Sequence, residues 1–377
     1  MSGLFSILLA AAAFIAVIGP LVFVHEMGHY LAGRLFGVQA DMFSIGMGRE
    51  LFGWTDKRGT RWKVSALPIG GYVKFRGDVG PASEPDPAWQ LLPPEEKAKT
   101  LQGKPVWQRF IIVAAGPLTN FLVAIAVYAA FFTAFGVPQT PPVVATVLKD
   151  SAAAKGGMRR GDHIVSVDGR PINTFEDIQL LLLIRAHQHL RVEVQRSGAT
   201  VPLDIFTDAI TESDGNGGKI ERGLLGIRPA GLIHKPGTPI EILDASVSAV
   251  GDRVRMIADV MGQILTGQRS AKELGGPLKI AHFAGQRVQL GLIDFVDLMA
   301  LISINLGFIN LLPIPLLDGG HLFFYLIEGI RRRPLPAQAQ EWAFRSGLAL
   351  LLGFMLFVTV NDLASFGLWT KLVGLIG

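Results

Sequence analysis

The sequence predicts a polytopic α-helical membrane protein of about four transmembrane helices, with a re-entrant β-hairpin and one inserted α+β domain. Three observations carry this. Half of the 377 residues are AVILMFWYC and only 18% are charged, with a mean hydropathy of +0.40, a balance typical of membrane proteins. Four uncharged runs approach the roughly 20 apolar residues that a helix needs to cross about 30 Å of hydrocarbon. Between the second and third lies a long charged segment with alternating apolar residues and turn signals.

The first run covers residues 4–33. Small residues in "LLAAAAF" would suit a cleaved signal peptide, but no basic residue precedes them and the run is too long for an h-region. The second span is residues 110–135, inside an uncharged stretch that reaches residue 148, and Pro138, Pro141 and Pro142 end its helix. The third is residues 298–317. The fourth centres on residues 346–360, a short run that requires Arg345 to snorkel or Asn361 to be drawn in. Lys and Arg in short loops stay in the cytoplasm. Arg34, Arg49, Lys57, Arg58, Arg61 and Lys63 follow span one, and Arg331, Arg332 and Arg333 separate spans three and four. Residues 149–297 and both termini are then expected on the far side.

Residues 42–80, with "MFSIGMG" and "KVSALPIGGYVKF", read as short strands with glycine-rich turns, too apolar for an ordinary loop. A re-entrant hairpin is expected, since non-helical backbone at membrane depth is tolerated where it lines protein or a wet cavity. The organisation is therefore a membrane part over 1–135, an inserted domain over 143–232, a linker with an amphipathic helical segment over 233–297, and spans three and four over 298–377. In the inserted domain, "VVATVLKDSAAAKGGMRRGDHIVSVDGRPI", the helix-like "TFEDIQLLLLIRA" and the strand pair in "HLRVEVQRSGATVPLDIF" resemble a PDZ domain of the bacterial form, one copy ending near "GLLGIRP". Such domains bind extended peptides by strand addition; a plain β-rich spacer is the alternative.

A net charge of +4 with scattered basic residues leaves no phosphate-tracking patch, so nucleic acid is not expected as a partner. With no cysteine, any metal must be held by His, Asp or Glu. "FVHEMGHYLAG" supplies candidates. Positions i and i+4 of a helix differ by about 40° and about 6 Å, so His25 and His29 can share one ion. Glu26 lies one step round, placed to take a proton from water, as in the H-E-x-x-H arrangement of zinc proteases. A hydrolytic zinc wants a third protein ligand and one open position. Asp318 in "NLLPIPLLDGGHL" stands out after 20 uncharged residues, because an ionisable group at a span's edge is costly. Spans one and three run parallel in the expected topology, and His25 and Asp318 each lie about 30 Å from the far surface. His321 competes for the same role. The two glycines before it are expected to break the helix and leave His321 further out.

Taken together, "HEMGHYLAGR", "PIGGYVKF", "AAGPLTNF", the PDZ-like module, "LGGPLKIAHFAG" and "NLLPIPLLDGGH" resemble the site-2 protease family of intramembrane zinc metalloproteases, nearest to the bacterial RseP type. The resemblance covers nearly the whole chain. It implies a Zn²⁺ site of His25, His29 and Asp318 with Glu26 as general base. It also implies Asn310 as a polar contact to the substrate backbone, with Asn120 as a second intramembrane candidate. Gly70 and Gly71, with Gly46 and Gly48, would belong to a substrate-binding re-entrant loop. The implied activity is regulated intramembrane proteolysis of single-span proteins, anti-sigma factors or signal-peptide remnants, after a first cut. The implied location is the bacterial inner membrane, with the PDZ domain periplasmic and open to a peptide ligand. RseP-type enzymes can carry tandem PDZ domains, whereas one is visible here. Three other readings compete: a PDZ membrane scaffold, a transporter whose broken helix carries Asn305, Asn310 and two prolines, and a surface zinc protease tethered by its first helix. An intact Glu26, the lack of a paired repeat and a motif inside the span argue against them in turn.

Overall fold

The computed structural model describes residues 3–78, 80, 89, 91–182, 185–213, 219–268, 270–271 and 275–365. In chain order the elements begin with α1 (Gly3–Leu35), β1 (Ala40–Thr55), β2 (Arg61–Phe75), α2 (Pro94–Lys97) and α3 (Val106–Phe135). A β-rich stretch follows: β3 (Val137–Gln139), β4 (Val144–Val147), α4 (Ala152–Lys155), β5 (His163–Val167), β6 (Arg170–Pro171), α5 (Phe175–Leu182), β7 (His189–Arg196), β8 (Ala199–Phe206), β9 (Asp208–Ser213), β10 (Lys219–Leu224), β11 (Ile227–Pro229) and β12 (Ile233–Lys235). Helices complete the chain: α6 (Pro239–Leu265), α7 (Pro277–Leu290), α8 (Leu292–Asn310), α9 (Asp318–Arg331) and α10 (Ala337–Ser365). Two compact units result, one of residues 1–129 with 246–377 and one of residues 130–245.

Among the described residues, four helices are long and apolar enough to cross a membrane, at Leu8–Leu35, Val106–Phe135, Leu292–Asn310 and Gln338–Ala364. The protein is thus a multi-pass membrane protein with a β-rich insertion. The third span differs from the expected 298–317. It starts at Leu292 and stops at Asn310, because Pro313 and Pro315 have no N–H to continue the ladder and Leu316 takes a φ of 82°. The "DGGH" stretch does not break a helix either; it forms the first turn of α9. A Cβ on Gly319 would lie 2.1 Å from the Leu312 carbonyl oxygen, and one on Gly320 2.5 Å from that of Ile314, so the glycines let the turn of residues 311–317 lie against the helix start. The fourth span is 27 residues long, well beyond the short run expected, and Arg345 sits within α10 paired to Glu341 at 2.6 Å.

Small residues bring the helices together, as packing between apolar helices in lipid requires. A Cβ on Gly28 would meet Thr119 Oγ1 at 2.4 Å and the Ala115 carbonyl oxygen at 2.5 Å, which fixes the close crossing of α1 and α3. Ala13, Val17 and Leu21 of α1 pack with Ala284 of α7 and with Leu298, Ile302 and Leu306 of α8. At the other end of α3, Arg109 bonds both carboxylate oxygens of Glu328 in α9, at 3.1 and 2.6 Å, and lies over the Tyr325 ring. Within 233–297, expected as linker and amphipathic helical segment, lie the helices α6 and α7 and the start of α8. Buried Asp362 of α10 accepts from the Gly276 and Lys279 amides at the start of α7, each at 3.0 Å.

β1 and β2 form an antiparallel pair of 16 and 15 residues, longer than the short strands expected. Each bends at glycines with positive φ, Gly46, Gly48 and Gly70, so residues 42–45 lie beside both 71–74 and 61–64. Phe43 anchors the pair: it stacks on Trp62 at 4.5 Å and packs with Tyr30 of α1, Val73 and Phe75. Leu51, Phe52 and Leu67 point outward, an apolar face compatible with lipid. Residues 71–74 have no strand on their other side among the described residues, which leaves an edge.

The second unit is a small α+β fold. A four-stranded sheet of order β6-β5-β7-β8 packs Ile164, Val192, Val194 and Ile205 against Ile178 of α5, alternate strand residues facing the core. β4 pairs with β11 and β9 with β10. Asp162 is fully buried and grips the Arg196 guanidinium through two bonds of 2.7 Å. β3 and β12 pair with each other outside the expected limits of 143–232.

Candidate metal centre

One turn of α1 presents His25 and His29 to the same side, and the proline turn carries the chain from the end of α8 back to them so that Asp318 opens α9 beside both. His25 and His29 are 7% and 8% exposed. Their Nε2 atoms are 3.3 Å apart, and Asp318 Oδ2 lies 3.1 Å from His25 Nε2 and 3.4 Å from His29 Nε2. Ligands at about 2.0–2.1 Å around a tetrahedral zinc are separated by about 3.3 Å, so the triangle has the size of one face of such a site. Asp318 Oδ2 is sealed from solvent and has no hydrogen-bond donor. His29 Nδ1–H donates to the Ile112 carbonyl oxygen at 2.9 Å, which leaves the lone pair of Nε2 facing the centre. Two imidazole nitrogens and a carboxylate oxygen converging at this spacing are a donor set that fits a cation. Among the described residues no other three His, Asp or Glu side chains could hold a metal ion in this way.

The centre opens into a cavity of about 430 Å³ lined by His25, Glu26, His29, Asn310 and Asp318, with Gly70, Gly71, Tyr72 and Val73 of the hairpin edge. Glu26 faces it beside the histidines, and the Val73 amide reaches its carboxylate. Gly71 permits that approach: a Cβ there would be 2.7 Å from Val22 Cγ1 and 3.2 Å from Glu26 Cγ. Asn310, the last residue of α8, holds its amide nitrogen 3.4 Å from His25 Nε2.

Seven of the eight site residues expected from the sequence thus surround one cavity. The eighth, Asn120, does not. It is fully buried, its amide nitrogen 3.1 Å from His25 Nδ1. His321 lines the cavity but lies outside the ligand triangle, its ring against Phe344 at 5.3 Å. Gly116 was not among the expected residues. A Cβ there would fall 2.2 Å from His29 Nε2, so α3 keeps a hydrogen at this point to admit the imidazole. Its sequence signals were its place in "AAGPLTNF" and a glycine inside an apolar helix, which reads equally as helix packing.

The chain is similar to known proteins along most of its length. The profile described as Peptidase family M50 matches residues 13–354. A protein of Agrobacterium fabrum named as a zinc metalloprotease is 44% identical over 93% of this chain and 95% of its own length. Another of Rhizobium meliloti, named in the same way, is 41% identical over 93% of this chain and 95% of its own. The metalloprotease MmpA of Caulobacter vibrioides is 39% identical over 98% of this chain and 99% of its own.

Proposed function

Since the chain belongs to peptidase family M50 and is a zinc metalloendopeptidase of the membrane, we propose that it cuts peptide bonds within the transmembrane helices of single-span proteins, after another protease has removed their outer domains. The observation that carries this reading is the placement of Glu26 and the His25, His29 and Asp318 triangle inside a cavity formed by apolar helices and an edge strand. Membership of a peptidase family sets aside the scaffold and transporter readings.

His25, His29 and Asp318 would hold the zinc, which when bound supplies a Lewis acid to polarise the scissile carbonyl. Glu26 takes the proton from the attacking water on a carboxylate oxygen and delivers it to the leaving amine. The Asn310 amide donates to the substrate backbone. A helical substrate hides its carbonyls in i to i−4 bonds, so it must unwind locally before attack. Residues 70–72 line the cavity at the open strand edge, beside the Val73 amide that Glu26 engages, and strand pairing there offsets part of the unwinding cost.

The PDZ reading of residues 143–232 is supported by the α+β fold of the second unit. In this scheme it lies on the periplasmic side of a bacterial inner membrane and admits an extended peptide, so that only trimmed substrates pass. Anti-sigma factors and signal-peptide remnants are the substrate classes that fit. The test is to reconstitute the protein in lipid vesicles with a single-span peptide carrying short soluble ends, and to locate the cut by mass spectrometry. Cleavage inside the apolar span supports the reading; cleavage confined to the soluble ends overturns it.

A further inference from the structure

Asn120 sits on α3 with no exposed surface, and the backbone around it is pinned by the Ser303 hydroxyl, which donates to its carbonyl oxygen at 2.8 Å. Its side-chain amide is 3.1 Å from His25 Nδ1, while its Oδ1 is sealed without a partner. The amide nitrogen turned toward Nδ1 makes that ring atom an acceptor and puts the imidazole hydrogen on Nε2. Yet Nε2 is the atom that meets Asp318 and His29, and only a bare lone pair can serve a cation there. A half-turn of the amide exchanges its ends, so that Oδ1 accepts from Nδ1–H and Nε2 is freed. One end of the amide lacks a partner in either orientation, so the imidazole decides between them. His29 needs no such choice, because the Ile112 carbonyl can only accept.

We infer that Asn120 is a positioning residue that accepts a hydrogen bond from His25 Nδ1–H and thereby fixes the tautomer in which His25 binds metal. The inference rests on the reading of His25 as a ligand. It replaces substrate contact as the role of Asn120, and it gives the orphaned Oδ1 its partner. Outer hydrogen bonds of this kind set ring orientation and ligand basicity, and their loss typically weakens metal affinity by about 10–100-fold.

The test is zinc retention by the purified full chain in detergent, titrated against a competing chelator, for wild type, Asn120→Leu, Asn120→Asp and His25→Ala. Leucine keeps the volume without an acceptor, and zinc affinity is expected to fall by about 10–100-fold. Aspartate can only accept, so affinity is expected to match or exceed wild type. Wild-type affinity in Asn120→Leu, or a tenfold loss in Asn120→Asp, overturns the inference. If Asn120→Leu fails to fold, Asn120→Asp decides alone, because a donor role is the one that aspartate cannot fill. Full zinc retention by His25→Ala would instead remove His25 from the ligand set, a separate failure.

Discussion

At the scale of single residues the site was readable where spacing alone fixes geometry. His25 and His29 share a face in any helix, and Glu26 stands beside them wherever that helix lies. Asp318 was visible as the first charge after a long apolar run. Gly116 and the place of Asn120 were not legible, because both depend on which face of α3 meets α1, and an apolar helix in lipid gives no amphipathic pattern to reveal it. Adding one methyl at Gly116 therefore tests the packing directly. With a Cβ 2.2 Å from His29 Nε2, Gly116→Ala is expected to displace the imidazole and lose zinc while the spans remain folded; undiminished zinc would show that the ring can retreat. The third ligand is tested in the same way. Asp318→Ala is expected to come out without metal, whereas His321→Ala, which removes a ring packed on Phe344, is expected to keep metal and measurable cleavage. Metal analysis of both purified variants decides, and an empty His321→Ala would reverse the assignment.

At the scale of elements the four spans were legible in the hydropathy, but their ends were not. Averaged apolarity runs straight through "NLLPIPLL", and the break there comes from two prolines. The glycines that follow were read as a breaker, yet they serve close contact at the start of α9. The position of α9 then depends on what grips its far end, the Arg109–Glu328 pair, whose side chains are 15% and 17% exposed. Removing one partner leaves the other charge half-desolvated, so Arg109→Met is expected to cost about 1–3 kcal/mol and to weaken zinc binding, read as a lower thermal midpoint and easier chelation. The junction after β2 carries a pH dependence. Burial pushes the Asp78 carboxyl up to about 7, although the Phe75 amide and Gln102 donate to it. The fold therefore favours the proton. Stability from this group is present at low pH and is lost as pH rises from about 4, where an unfolded carboxyl ionises, to about 7. Asp78→Asn is expected to flatten the decline in thermal midpoint between about pH 4 and about pH 7; an unchanged slope would mean that Asp78 is ionised in the fold throughout.

At the scale of the whole molecule, the order of membrane part, insertion and membrane part was legible, because a charged, turn-rich stretch interrupts apolar runs. The limits of the insertion were less so: the three-residue strands β3 and β12 lie beyond 143–232, and such short strands leave little pattern in sequence. Their pairing means that deleting residues 143–232 leaves a closed two-stranded stem. The shortened protein is expected to hold zinc and cleave short membrane peptides, but to accept substrates with bulky outer domains that the full chain refuses; loss of short-peptide cleavage with zinc retained would place the insertion in the catalytic machinery. The central claim is that Glu26 moves the proton while the histidines and Asp318 hold the metal. It is tested by purifying Glu26→Gln beside the wild type and measuring bound zinc and cleavage of a transmembrane peptide on the same samples. The amide cannot accept the proton, so zinc equal to wild type with cleavage abolished is expected. Near-normal turnover would contradict the claim.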